Sequence, residues 1–337
     1  MPKRKGGNVT IRDVAAQASV SAITASRALR GSDLVRPETR RQVERVAQEL
    51  GYIPNFAAGM LNSNVSRMVA VVVPNFANSI FATTLQEIGE GLREAGYQLL
   101  VGCNDYSVDR EQELVQTFLS RGADAVVLTG HLYSEATKKL LRQSGVPVIE
   151  MWSLGDRPLG ISIGVDDHQA ALDAVRHLVS RGRRCIGYIG GAVDGNDRAQ
   201  ARLKGFRAAL AEAGLPQDAR LERTGTFEFD TGATAIADML KVEPGLDAVF
   251  AASDIIATGV LLRCMQDGIE VPGRLAICGF DDARIVQMLR PALTTIKFSR
   301  REIGQQVAAT LLDQMGKLRR EPRVMRIAHE LIVRETT

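Results

Sequence analysis

The sequence predicts a small all-α domain at the N-terminus, followed by a larger α/β domain built of two Rossmann-like halves. Three short amphipathic helical stretches with capping residues fill the region before residue 54. From Met68 the pattern changes to short apolar runs separated by helical stretches, and the same alternation recurs from Cys185. At 337 residues the chain is too long for one typical domain. The expected boundaries are residues 1–54 for the all-α domain, 55–66 for a hinge or linker, and 67–337 for the α/β domain.

The first helix begins at Thr10, a good N-cap, with Asp13 three residues on as an acidic variant of the capping box. Ile11, Val14, Ala15 and Ala18 recur at helical spacing and make one apolar face. Ser19-Val20-Ser21 interrupts the run. Ser21 then caps a second helix from Ala22 to Leu29, which Gly31 stops. Ala15, Val20, Ala25 and Leu29 let the two helices pack closely. Pro37 opens a third helix at its favoured first position, Val43, Val46, Ala47 and Leu50 face the core, and Gly51 ends it.

Two short helices joined by a tight turn, then a third, fit a helix-turn-helix DNA reader. By spacing alone they fit a generic three-helix bundle equally well. Charge and exposed residues favour the DNA reader. Residues 1–67 carry 11 Lys/Arg against 5 Asp/Glu, a net of +6, and the rest of the chain carries −3. Ser21, Thr24, Ser26, Arg27 and Arg30 can donate to phosphates. Ala22 and Ile23, short and apolar, would read thymine methyls and groove shape. Asn55 to Asn64 reads as a marginal helix that folds only when partnered, because Gly59 weakens it and it is short. A plain linker fits the same residues.

In the larger domain, Met68–Val73 is a buried strand, 79–95 a helix, Tyr97–Val101 a strand, Arg110–Ser120 a helix, Ala125–Leu128 a strand and Val146–Met151 another. The second set reads Cys185–Ile189, a helix Arg198–Ala213, Ala248–Ala251, a helix Ile255–Gln266, and Leu275–Cys278. Such alternation implies parallel sheets with helices on both faces, and ligands bind at the C-terminal ends of such strands. The carboxylate pairs Asp166-Asp167 and Asp281-Asp282 each follow a strand, where a cleft would use them to accept hydrogen bonds from hydroxyls.

No complete dinucleotide fingerprint, P-loop, nucleophile elbow or zinc-protease motif occurs, so no enzymatic activity, cofactor or metal is expected. Four scattered cysteines without a CxxC pair argue against a metal cluster or disulfide framework and fit reducing cytoplasm. No apolar run reaches bilayer-spanning length, and the basic start is followed by no apolar stretch, so a cytoplasmic chain is expected.

Thr10-Ile-Arg-Asp-Val-Ala, Val20-Ser-Ala-Ile-Thr-Ala-Ser-Arg27, Val35-Arg-Pro-Glu-Thr-Arg40 and Leu50-Gly-Tyr-Ile-Pro-Asn55 together resemble the lactose/galactose repressor family, and the likeness covers nearly the whole chain. The sequence departs at Thr24-Ala25-Ser26, where that family more often has Thr-Val-Ser, a small core change. The resemblance implies a periplasmic-binding-protein-like α/β domain and a homodimer on palindromic operator DNA. It implies DNA contacts from Thr10, Ser21, Ala22, Ile23, Thr24, Ser26 and Arg27, and a hinge helix in which Asn55 and Ala58 sit on DNA and Leu61 wedges into the minor groove. It places an effector between the lobes, with Arg202, Asp281, Phe227, Ser253, Asp254, Ile80 and Phe81 around it.

Val148-Ile-Glu-Met-Trp152, with Pro74-Asn-Phe and Phe81, is similar to the gluconate-repressor branch. That suggests a sugar acid such as gluconate or a ketogluconate, with Glu150 at a strand end and Arg198, Arg202 and His131 meeting its charge. A neutral sugar or a nucleobase stays open, as does the sign of the switch. Trp152 fits the pocket or the core alike. A sugar-binding transport protein shares the two-lobed body, but the basic head and missing signal peptide oppose that reading. The tail from Leu318 shows no leucine heptad, which favours a dimer over a tetramer.

Overall fold

The computed structural model describes residues 9–29, 32–53, 65–76, 80–315 and 321–337. The chain divides into two compact units, Met1–Ser66 and Arg67–Thr337.

The first unit holds α1 (Ile11–Gln17), α2 (Ala22–Leu29) and α3 (Pro37–Leu50). Asp13 accepts from both the backbone N (2.9 Å) and Oγ1 (2.7 Å) of Thr10, which fixes the start of α1. Ser21 Oγ accepts from the backbone N of Thr24 at 3.0 Å and caps α2. Val14, Ala15, Ala18, Ala25, Ala28, Val35, Val43, Val46 and Ala47 form the buried core. Five of these nine are alanines, so the three helix axes can approach closely around little volume. Gly51, at φ 63°, ends α3 in the left-handed conformation that glycine adopts without strain. Arg30, Gly31, Asn55, Ala58 and Leu61 lie outside the described residues, and with them the expected hinge helix.

The second unit is two α/β lobes. The first lobe's sheet runs β11-β5-β4-β3-β1-β2, with β1 (Met68–Val73), β2 (Gln98–Cys103), β3 (Ala125–Thr129), β4 (Val148–Ser153), β5 (Ile161–Val165) and β11 (Arg323–Arg326) all parallel. The second lobe's sheet runs β12-β10-β9-β8-β6-β7, with β6 (Ile186–Gly191), β7 (Glu222–Gly225), β8 (Ala248–Ala251), β9 (Ala276–Phe280), β10 (Thr294–Phe298) and β12 (His329–Ile332). Only β12 is antiparallel there. Among the helices, α4 (Ile80–Arg93), α5 (Val108–Ser120), α6 (Glu135–Ser144) and α11 (Arg300–Gln314) flank the first sheet, and α7 (Asp167–Ser180), α8 (Asp197–Glu212), α9 (Phe229–Val242) and α10 (Asp254–Gln266) flank the second.

The chain crosses between lobes three times, from β5 to α7, from β10 to α11 and from β11 to β12. Val69, Val71, Val127, Ile149 and Ile163 of the first sheet are fully buried, as expected of strands covered on both faces. The periodicity of the sequence does not separate β5, α7, β7, α9, β10, α11, β11 and β12. β11 and β12 are only four residues each, and β10 carries Thr294, Thr295 and Lys297 among its five residues. Among the described residues no helix is long and apolar enough to cross a membrane.

The α9–α10 contact is glycine against backbone. A Cβ on Gly259 would stand 1.9 Å from the carbonyl O of Phe229, and one on Gly232 would stand 2.1 Å from the carbonyl O of Ile256. Alanine gains about 1 kcal/mol of helix propensity over glycine, but overpacking costs about 1–3 kcal/mol. Backbone atoms give less readily than side chains, so the steric effect wins. Gly259→Ala should therefore lower the denaturant midpoint; a raised midpoint would show that the helices separate freely.

Candidate ligand cleft and nucleic-acid interface

On the three-helix unit, α2 presents Ile23 with 66% of its surface exposed at the first turn. Ser21 and Arg27 are also exposed, with Ala22, Thr24 and Ser26 half-buried beside them. Leu34 and Ile53 of the same unit are more exposed still, so it is the place of Ile23 on α2, not its exposure, that marks it. The hydroxyls of Ser21 and Thr24 bond each other at 2.8 Å, so only one of the two retains a free proton for an outside acceptor. Thr10 already donates to Asp13 and can only accept.

In the second unit, β1 lies between β2 and β3, and β6 between β7 and β8. These are the points where strand order reverses, and crevices open outside the carboxyl ends of such strands. A cleft of about 370 Å³, counted with its open mouth, lies there between the lobes. Ile80, Phe81, Tyr106 and Trp152 wall it from the first lobe; Asn196, Arg198, Arg202, Phe227 and Asp281 are among its walls from the second.

Backbone strain concentrates here. Of the seven non-glycine residues with positive φ among those described, Asp105, Tyr106, Trp152, Asp281 and Asp282 line or adjoin the cleft. Each such conformation costs about 1–3 kcal/mol and persists only where the surroundings impose it. Asp254 supplies part of that constraint. Its Oδ2 accepts from the backbone N of Ala283 (2.7 Å) and its Oδ1 from Thr295 Oγ1 (2.6 Å), which pins the turn carrying Asp281 at φ 116°. Burial and the neighbouring Asp281 charge push the Asp254 carboxyl well above its ordinary range. Asp254 is therefore a positioning residue behind the cleft rather than part of its wall.

Asp281 is 1% exposed. Its Oδ2 accepts from Ser253 Oγ at 3.3 Å, while the buried Oδ1 has no hydrogen-bond partner among the described residues. Ser253 likewise reaches the cleft only through Asp281. Arg202 is buried, donates from Nε to Asp167 Oδ1 (2.7 Å) and from Nη1 to the carbonyl O of Ala252 (2.8 Å), and lies 3.6 Å over the Phe280 ring. Its Nη1 is 4.0 Å from Asp281 Oδ1. Burial raises the Asp167 carboxyl to about 6 against the pull of Arg202.

Trp152 is buried against Phe81 (4.7 Å between centroids) and Phe298 (5.6 Å), and its Nε1 has no partner among the described residues. The pocket and core readings of this residue are thus both true. Across the mouth, the Phe227 and Tyr106 rings stack at 5.8 Å with 25° between planes.

Two lobe-bridging contacts escape a reading of the sequence. Asp197 Oδ2 accepts from the backbone N of His131 at 2.7 Å and lies 2.9 Å from its Nδ1, an ion pair off the line of a well-formed hydrogen bond. Asp197 Oδ1 accepts from the backbone N (2.8 Å) and Nη1 (3.0 Å) of Arg198. Burial alone would raise the Asp197 carboxyl, but Arg198 and His131 hold it at about 2. The second contact is the Tyr106–Phe227 stack. The Asn196-Asp197 pair before a helical run marks a helix start in the sequence, but nothing there shows which lobe it faces.

Two further expectations change. Glu150 is not at a strand end but third of the six residues of β4, between Leu128 and Ser162. It is fully buried, accepts from Tyr133 Oη and the backbone N of Leu159, and does not line the cleft. The cations expected to meet an effector charge already face carboxylates: Arg202 faces Asp167, and Arg198 and His131 face Asp197. His131 stands in the lobe contact rather than in the cleft wall.

Residues 10–55 match the family model for bacterial regulatory proteins of the lacI family, and residues 175–337 match a periplasmic binding protein-like domain. The chain is 36% identical to the HTH-type transcriptional regulator GntR of Pseudomonas aeruginosa, across 99% of this chain and 97% of that protein. A LacI-family transcriptional regulator from Silicibacter pomeroyi superimposes with a TM-score of 0.89 at 30% identity, over 97% of this chain and 99% of that one. The lac repressor dimer bound to operator and the anti-inducer ONPF gives 0.84 at 25% identity, over 98% and 99%. These relatives are transcriptional regulators rather than enzymes, and likeness over the full length shows that the chain belongs to the lacI family of bacterial regulatory proteins.

Proposed function

We propose that this transcriptional regulator binds palindromic operator DNA as a homodimer and is released from it by a sugar acid of the gluconate or ketogluconate type seated between the lobes. Asp281 carries the reading. A buried carboxylate oxygen without a hydrogen-bond partner among the described residues, on a turn pinned by Asp254, asks for a hydroxyl donor, because an unmet buried acceptor costs about 1–3 kcal/mol. Trp152 Nε1 asks for an acceptor in the same way, and the Phe227 and Tyr106 rings offer faces to C–H bonds. Hydroxyls, an acceptor end and apolar C–H faces together describe a sugar or sugar acid.

The cleft cations are already paired, which favours a neutral sugar as the second reading. Calorimetric titration of D-gluconate, 2-keto-D-gluconate and D-glucose against the protein separates the two. Preference for the acids supports the first reading, and preference for glucose overturns it. Trp152 is the only tryptophan, so its fluorescence reports directly. Effector should shift its emission, and no change on saturation would place the effector elsewhere.

In this reading, residues 1–54 bind DNA through Thr10, Ser21, Ala22, Ile23, Thr24, Ser26 and Arg27, and residues 55–66 form the hinge, with Asn55, Ala58 and Leu61 on DNA. Residues 67–337 bind effector and dimerise. The exposed apolar side chains Leu262, Met265, Ile285 and Met288 of the second lobe support dimerisation. Closure of the lobes on the effector changes the lobe spacing within the dimer and unpacks the hinges, a coupling of about 1–3 kcal/mol that is reciprocal between sites.

A further inference from the structure

Beside the cleft lies a smaller polar chamber that the proposed function does not use. Asn104, Glu111 and Thr129 line it from the first lobe, and Asp197 and Arg198 from the second. Its space is about 280 Å³ counted with the open solvent at its mouth, but its enclosed part, about 10 Å³, is room for a single water-sized group such as one hydroxyl. Pro74 and Asn104 directly follow β1 and β2, and Thr129 ends β3, so the chamber also stands at the carboxyl ends of strands. Tyr106 and Arg198 belong to the walls of both spaces, which makes cleft and chamber adjoining rooms.

Glu111 is 3% exposed. Its Oε2 accepts from Asn104 Nδ2 at 3.2 Å, and its buried Oε1 has no hydrogen-bond partner among the described residues. Asn104 is itself held, its Oδ1 accepting from the backbone N of Tyr106 at 3.2 Å. Arg198 offers donors from the other wall. An alcohol satisfies a carboxyl and a guanidinium together without bringing further charge: it exchanges a hydrogen bond with the first, as donor or acceptor, and accepts from the second.

We infer that the chamber is a second subsite of the effector cleft, taking the terminal hydroxyl of an extended, open-chain polyhydroxylated effector, with Glu111 as its specificity-determining residue. The inference rests on the sugar-acid reading for the group in the first room. It adds that the effector spans both rooms past Tyr106, so open-chain length is selected. Burial and the nearby Asp197 charge raise the Glu111 carboxyl to about 8, so at neutral pH it is mainly the neutral acid, which glutamine imitates in shape and hydrogen bonding.

The test is calorimetric titration of the full-length protein with aldonic acids of three to six carbons, and in parallel with the matching alditols. Wild type should bind six-carbon chains at least about tenfold more tightly than four-carbon chains, the worth of one well-placed buried hydrogen bond. Glu111→Leu should abolish that length dependence, and Glu111→Gln should keep it within about threefold. Val108→Phe, which fills the chamber from a different wall residue and leaves Glu111 intact, should abolish it too, so a poorly folded Glu111→Leu leaves the inference testable.

Length dependence in alditols alone sinks the sugar-acid reading and keeps the subsite. Aldonic acids that bind equally at four and six carbons sink the subsite and keep the reading. Equal weakening of all lengths by Glu111→Leu and Val108→Phe also overturns the subsite, because Glu111 then only supports the lobe. No binding of either series by wild type overturns both.

Discussion

Arg202→Met should lower the unfolding free energy by about 3–5 kcal/mol, because it leaves Asp167 buried without its cation. The methionine stem keeps most of the packing over Phe280, so the loss reports charge and hydrogen bonds rather than volume. Arg202→Met/Asp167→Asn removes the stranded charge and should recover much of the loss, since the two sites share one interaction and cannot add. Urea unfolding of the wild type, both singles and the double variant measures this. Additive losses would mean that the pair at 2.7 Å is not the dominant interaction of either residue. Effector binding should stay impaired in the double variant, because Asp281 still lacks its nearest cation, at 4.0 Å.

The contact between the lobes predicts the second large effect. Gly130 has φ 89°, and a Cβ on it would stand 2.5 Å from Asp197 Oδ2 and 2.9 Å from Arg198 Nη1. Gly130→Ala thus meets backbone strain of about 1–3 kcal/mol and a steric clash across the lobe boundary. Effector affinity should fall by about tenfold or more, because binding must draw together lobes that the methyl group holds apart.

The same contact sets a pH dependence. Close contact with the Asp197 carboxylate raises the His131 pKa above its ordinary 6.5, and Glu150 adds to this while burial and Arg198 oppose it. A raised histidine contributes fully below 6.5, and its contribution is lost as pH rises through the raised value. Asp197, held at about 2 from 3.8, contributes above 3.8 and loses its contribution as pH falls through 2. Lobe closure is therefore strongest between about pH 4 and 6.5, and effector affinity should decline on the alkaline side. Asp197→Asn should bind more weakly and flatten that decline. An unchanged alkaline slope in Asp197→Asn would remove His131–Asp197 from the coupling.

The head was the most legible part of the sequence. Its signals are local: Thr10 with Asp13, Ser21 before α2, Pro37 at the start of α3 and Gly51 at its end all act within four residues, and all appear where the sequence places them. The strands from Met68 to Met151 were legible for a similar reason. Apolar runs in β1, β3 and β4 mark parallel strands covered on both faces, whereas β2, at the sheet edge, is mostly half-buried. β10 was not legible, because Thr294 and Thr295 are buried through hydrogen bonds made far along the chain, to Thr337 and Asp254.

The site was legible in part. Arg202, Asp281, Phe227, Phe81 and Ile80 come together around the cleft. The roles of Glu150, His131 and Asp254 were not legible, because each depends on which neighbour faces it across a strand, a lobe boundary or a turn. Tyr106 and Asp197 carried no signal of their own. Their importance comes from the closing of two lobes, and sequence spacing cannot show that.

The most direct measurement of the central claim is fluorescence anisotropy of labelled palindromic DNA titrated with the protein, with and without D-gluconate, at one fixed salt concentration. Fixed salt matters because phosphate contacts make affinity depend steeply on ionic strength. The account predicts specific binding that gluconate weakens by about 5–150-fold, the range of a 1–3 kcal/mol coupling. Binding to the palindrome no tighter than to unrelated DNA, with no response to any sugar or sugar acid, would contradict it.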